Sequence, residues 1–174
     1  MRKYWICLWI VLLFLSSCKD ERTLLKEKIE RLESSFFEES NQQVIPHLMK
    51  SYTTYRKNYP EDSVNVEYLF HAAEIYRMEG DPLRAVSCYH QVFTQYPQSE
   101  KQPVALFMEG FLYENELNDL LKAREKYQLF IANFPDHPLY KDVNFSLANL
   151  GKNAETLLQE ILAKKTADSI ESMP

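Results

Sequence analysis

Glycine is scarce in this chain: three residues in 174, against eleven tyrosines and ten phenylalanines. A turn-rich β sandwich needs more glycine than this, so the balance favours helices packed by large side chains. Glycine-rich linkers are absent, and the length suits one domain, two at most. Neither His-Glu-x-x-His nor Cys-x-x-Cys occurs, and the four histidines (His47, His71, His90, His137) fit no ligand spacing, so no metal is expected. His71 and Glu74 share a helix face, but two such groups one turn apart are commonplace. There is no glycine-rich phosphate loop and no Gly-x-Ser-x-Gly elbow. Carboxylate neighbours such as Glu38-Glu39 and Glu61-Asp62 read as solvated surface or helix-start charges. The chain is therefore not expected to be an enzyme, to hold a cofactor or to take a small-molecule substrate. Without a run of Lys or Arg it also lacks the footprint of a nucleic-acid binder.

What is present begins at the N-terminus. Met1-Arg2-Lys3 is a short basic start, and Tyr4 to Leu15 is an unbroken apolar run. A dozen residues suit the apolar core of a signal peptide and fall short of the roughly 20 that span a bilayer as a helix. Leu15-Ser16-Ser17-Cys18 follows. These four residues resemble the lipobox of bacterial lipoproteins, in which cleavage makes an acylated cysteine the new N-terminus. An ordinary signal peptide shares the small-residue cut site, but a cysteine directly after it favours lipidation. The resemblance implies that residues 1–17 are removed and that Cys18 carries a covalent lipid, an anchor made stable by several acyl chains. Cleavage also removes Cys7, leaving Cys88 as the last free thiol, so no intramolecular disulfide is expected. On a helix among apolar neighbours, Cys88 reads as a small buried hydrophobe. The formal charge of −5 becomes −7 once Arg2 and Lys3 are gone.

The strongest internal signal is a recurring aromatic–proline pair. Tyr59-Pro60, Tyr96-Pro97 and Phe134-Pro135 are spaced by 37 and 38 residues. Tyr52, Tyr89 and Tyr127 lie seven residues ahead of each aromatic, and Ala73, Gly110 and Ala148 follow each proline by thirteen. Each unit reads as two helices. Leu69, Ala72, Ala73 and Tyr76 form an apolar stripe at helical steps, and Gly80-Asp81-Pro82 punctuates. Ala85, Tyr89 and Val92 then face back from a second helix. Small residues at Ala73 and Ala85 allow close backbone approach, with Tyr76 and Tyr89 filling the space beside them. Such a hairpin cannot bury both faces alone, so it stacks. Ser99-x-x-Gln102 reads as a capping box before the helix containing Phe107.

The pattern Leu69-x2-Ala72-Ala73-x2-Tyr76, Gly80-Asp81, Ala85-x3-Tyr89, Pro97 resembles the tetratricopeptide repeat. The copy Leu106-x3-Gly110-x2-Tyr113, Ala123-x3-Tyr127, Pro135 matches it, with one extra turn residue and no turn glycine. Units a few residues longer than the usual 34 are typical of periplasmic proteins similar to the assembly lipoprotein D of the outer-membrane β-barrel machinery and to Tol–Pal coordinators. The expected fold is all-α, a helix-hairpin solenoid of three to four repeats over residues 18–165, with residues 166–174 disordered. Leu25, Ile29, Leu32 and Phe36 mark a degenerate first helix whose partner begins near Pro46. Lys141 to Lys165 reads as a capping helix broken at Gly151.

In tetratricopeptide stacks the first helix of each hairpin lines a concave groove. Carried onto this chain, one slot falls on Glu33, Phe70, Phe107 and Phe145, and the next on Phe37, Glu74, Phe111 and Asn149. The expected groove residues are Phe37, Phe70, Phe107, Phe111 and Phe145, with Arg77, Glu67 and Glu114 at the edge. The same phenylalanines also suit the role of cement between hairpins. The function the resemblance implies is an envelope scaffold or adaptor that binds proteins or peptides, within an outer-membrane assembly or secretion complex. The alternative is a structural, oligomerising lipoprotein that uses the Leu25–Phe36 stripe or the capping helix laterally. Lys19-Asp20-Glu21 resembles a lipoprotein surface-export signal or a plain charged tether, which leaves open either face of the outer membrane. Cys18→Ser is expected to block acylation and leave the chain unprocessed or soluble. Metabolic labelling with a palmitate analogue and membrane fractionation check this, and a variant still cut and still membrane-bound would overturn the anchor.

Overall fold

The computed structural model describes residues 20–152 together with 155, 156, 158, 159, 162 and 163. Cys18, the signal segment and the expected tail lie outside them. Between residues 20 and 152 lie seven α-helices: α1 (Glu21–Phe37), α2 (Ile45–Asn58), α3 (Asn65–Met78), α4 (Pro82–Gln95), α5 (Gln102–Asn115), α6 (Leu120–Asn133) and α7 (Tyr140–Ala148), and the described residues from 155 to 163 are also helical. A single 3-10 turn, Gln42–Val44, joins the first two. Short connections make neighbours antiparallel. The chain falls into two compact units, one ending at Asn65 and one beginning at Val66.

In the first unit α1 and α2 pack as the expected degenerate hairpin. Asp20 accepts the Thr23 backbone N–H at 2.7 Å and so caps α1, with Glu21 in the first turn. Both acids of the Lys19-Asp20-Glu21 string therefore have a structural task at the helix start. Of the apolar stripe, Ile29 and Phe36 are buried, while Leu25 and Leu32 are half-buried. The buried Tyr52 hydroxyl donates to Glu33 at 2.7 Å. Asp62, after α2, is held by Arg22 (2.5 Å), Lys26 (3.1 Å) and the Tyr55 hydroxyl, which ties the start of α1 to the exit from α2. Burial alone would raise the pKa of Asp62, but hydrogen bonds from Tyr55 and Arg22 outweigh it and hold the carboxyl well below its usual range.

The second unit holds two hairpins and the following helix. Gly80 takes φ +75°, Asp81 accepts the Arg84 N–H at 3.0 Å, and Pro82 opens α4. The second turn reaches the same result without glycine. Asn118 adopts φ +52°, and Asp119 accepts the Lys122 N–H at 3.0 Å. Each capping Asp also pairs with the side chain it caps, and that cation lies over a ring of the first helix: Arg84 over Tyr76 (4.7 Å) and Lys122 over Tyr113 (5.1 Å). Tyr76 is thus only half-buried, beneath Arg84, whereas Tyr89 is fully buried. Cys88 is buried, as expected.

Two further expectations need correction. Ser99 is not the N-cap of α5. The helix begins at Gln102 with Pro103 in its first turn, Ser99 Oγ accepts from Lys101 N, and the Gln102 side chain reaches back to the Phe93 carbonyl. Proline sets where α5 can start, so the box residues fall one turn early. Ala148, the third small residue, is exposed at the last position of α7 and is not buried as a close-packing residue. Gly151 (φ +79°) marks the expected break after α7.

At Gly110 the side chains of α6 press directly on the backbone of α5. A Cβ there would stand 2.5 and 2.7 Å from Cε1 and Cδ1 of Tyr127. Tyr127 cannot swing away, because its hydroxyl is bonded to Glu114 at 2.7 Å and Phe107 stacks on its ring. Leu106, Ala123, Phe130 and Val143 complete this core.

Two outcomes are expected. Gly110→Ala, which in an open helix interior gains about 1 kcal/mol, should here lower stability by about 1–3 kcal/mol through overpacking, read as the urea midpoint. Asp62 has a folded pKa below its unfolded one, so its contribution is present above the unfolded carboxylate range and lost as pH falls through the folded value. Asp62→Asn should therefore melt lower than the parent at pH 7, with the gap narrowing as pH drops below about 4. Circular-dichroism melts across pH read this; a gap equally wide at low pH would exclude an ionic contribution.

Candidate protein-binding face on the first helices

In the second unit each first helix has a spent side and an available side. On α3, Val66, Leu69, Ala72, Ala73 and Ile75 are buried, while Glu67, Phe70, Glu74 and Arg77 recur at helical steps and keep part of their surface. On α5, Leu106, Gly110 and Leu112 are buried, while Phe107, Phe111 and Glu114 are half-exposed. On α7, Val143 is buried and Phe145 is 53% exposed.

The aromatic rings are anchored from behind and flanked by charge. Phe70 meets Tyr89 edge-on at 5.1 Å, and the Lys101 ammonium lies 5.1 Å over the Phe70 ring while pairing with Glu67. Phe107 stacks on Tyr127 at 6.1 Å and reaches Phe111 at 6.3 Å. Arg77 links the two helices. Its Nε donates to Glu116 at 2.9 Å and its Nη1 to Glu74 at 3.0 Å, with the guanidinium 5.9 Å from the Phe111 ring. Burial works against the Arg77 charge, but Glu116 and Glu74 outweigh it and raise its pKa. The arginine is thereby a fixed cation at the edge of the Phe111 ring. Tyr89 donates to Glu74 at 2.5 Å. Burial first, and the carboxylate acceptors second, push the Tyr89 and Tyr127 phenols far up, so both remain donors.

Of the expected groove residues, Arg77 on α3 reaches Phe111 on α5, where Phe107 lies beside it, while Phe70 on α3 packs on Tyr89. Phe145 stands on α7 in the same unit. Phe37 belongs to the first unit, where it is 48% exposed and packs edge-on against Phe36 at 4.8 Å. Glu33, from the same slot series, is engaged by Tyr52.

Sequence reasoning missed the ion partners Lys101 and Glu116. They lie 34 and 39 residues from Glu67 and Arg77, close to one repeat length, and that separation was the available signal. It also missed Glu109, a carboxylate 1% exposed on the buried side of α5. Thirty-seven residues earlier the same register holds Ala72, so a charge at an apolar position of the repeat was legible.

No curated protein matches the chain. Residues 67–99 and 104–137 each match the tetratricopeptide repeat. The two segments coincide with the α3–α4 and α5–α6 hairpins. The second unit is thus built on two tandem tetratricopeptide repeats, a fold that serves as a scaffold for contacts between proteins.

Proposed function

We propose that the chain is a lipid-anchored scaffold of the cell envelope, held at the outer membrane through Cys18, that grips a partner protein along the first-helix face of its repeats. The anchor rests on the Leu15-Ser16-Ser17-Cys18 lipobox. The observation that carries the binding face is the state of its phenylalanines. Phe107 and Phe111 are braced by Tyr127 and Arg77 yet keep accessible surface, and Phe145 beyond them is more than half exposed. Rigid aromatic surface beside a fixed cation is what an interface anchor needs, since little side-chain entropy remains to be lost on binding. A segment with apolar residues at helical or alternating spacing fits such a face. The resemblance of the repeat pattern to that of the assembly lipoprotein D is the support for placing the chain in an outer-membrane assembly or secretion complex. The lateral-assembly alternative is weakened at α1, where Ile29 and Phe36 are already spent inside the first unit.

A photo-reactive phenylalanine analogue at Phe145 is expected to cross-link a discrete partner in cells, and the same analogue at the exposed Leu121 is not. Phe111→Ser should remove that cross-link while far-UV circular dichroism and cooperative melting persist. Loss of the cooperative melt would make Phe111 core, and a cross-link undiminished by Phe111→Ser would sink the binding face.

A further inference from the structure

Away from the phenylalanine face, α4, α5 and α6 form a pocket of about 340 Å³. Leu83, Val86 and Tyr113 make its apolar walls, and Ser87, His90 and Lys126 line it above Glu109. A volume of this order accommodates one residue or a small acid, at the lower end of ligand sites.

Glu109 sets its chemistry. The carboxylate is sealed from solvent, and it accepts from Lys126 Nζ at 2.9 Å and lies 3.3 Å from His90 Nδ1. With His90 donating through Nδ1, both carboxylate oxygens are occupied, and a 1% exposed group cannot itself reach a ligand. Lys126 is different. Its Cβ passes beside Gly110, where a side chain would crowd it, and the Lys126 side chain keeps 14% of its surface and lines the pocket. An ammonium has three N–H groups, and Glu109 takes one. Two donors of that ammonium are left beyond Glu109, and Ser87 and Tyr113 add hydroxyl-bearing side chains to the same lining. The local charge is balanced between Glu109 and Lys126, in a chain that is acidic as a whole. A cationic guest would meet the ammonium head-on. A carboxylate would gain charge-assisted hydrogen bonds, roughly twice as strong as those to a neutral acceptor.

We propose that this pocket binds a carboxylate on a short aliphatic body, carried either by a free acid or by the end of a protein chain. The site is separate from the phenylalanine face and stands whether or not that face holds a partner. The test is an NMR titration of the full chain in detergent with methyl-labelled Leu and Val. Isocaproate represents the free acid, acetyl-Ala-Ala-Leu the chain end, and the corresponding amides are the controls. Leu83 and Val86 methyl signals should shift saturably with at least one carboxylate, about tenfold more tightly than with its amide. Which of the two acids binds more tightly identifies the source. Lys126→Met alone strips Glu109 of its partner and endangers the fold, so the informative variant is Glu109→Gln with Lys126→Met. It should keep a cooperative melt and bind acid and amide alike. Equal binding of acid and amide by the parent chain, or a carboxylate preference that survives in the double variant, would overturn the proposal.

Discussion

A buried tyrosine on each second helix must find an acceptor for its hydroxyl, and much of the structure is arranged around that demand. Tyr52 finds Glu33, Tyr89 finds Glu74 and Tyr127 finds Glu114. The tyrosines keep one repeat register, but the glutamates do not, so each hairpin solves the same problem from a different position on its first helix. The rings themselves need room. Gly110 supplies it at Tyr127, and Ala73 is the corresponding small residue in the preceding hairpin.

This demand reaches the proposed binding face through shared groups. Glu74, which accepts from Tyr89, also holds Arg77, and Arg77 lies beside Phe111. Tyr127, fixed through Glu114, is the surface on which Phe107 stacks. Phe70 and Phe107 each pack a ring against the buried tyrosine of their own hairpin and still keep part of their surface accessible. Exposed ion pairs such as Arg77–Glu116 add modest stability, and their larger effect here is to keep a cation and a ring in fixed relation.

The pocket between α4, α5 and α6 shows a second use of the repeat. Where α3 carries Ala72, α5 carries Glu109, and a carboxylate in that apolar register is tolerable because Lys126 and His90 reach it from α6 and α4. At one repeat position a charge stands where the preceding unit has a methyl, and a polar pocket lies there.

The sequence by itself determined the helices, the turns and the repeat. Their causes are local: Gly80 for a positive φ, Asp81 and Asp119 as caps, Pro82 and Pro103 at helix starts, and apolar steps of three and four residues. The same locality explains its errors. Ser99 looks like a cap until Pro103 places the helix start, and Tyr76 looks like core until Arg84 covers it from the next helix. Only the tertiary structure decided how much of Phe107, Phe111 and Phe145 stays accessible, which carboxylate each tyrosine takes, and that Glu109 is buried with Lys126. Burial and pairing are set by neighbours about one repeat away in sequence, and no periodicity in a single chain specifies which of several chemically equivalent partners comes within bonding distance.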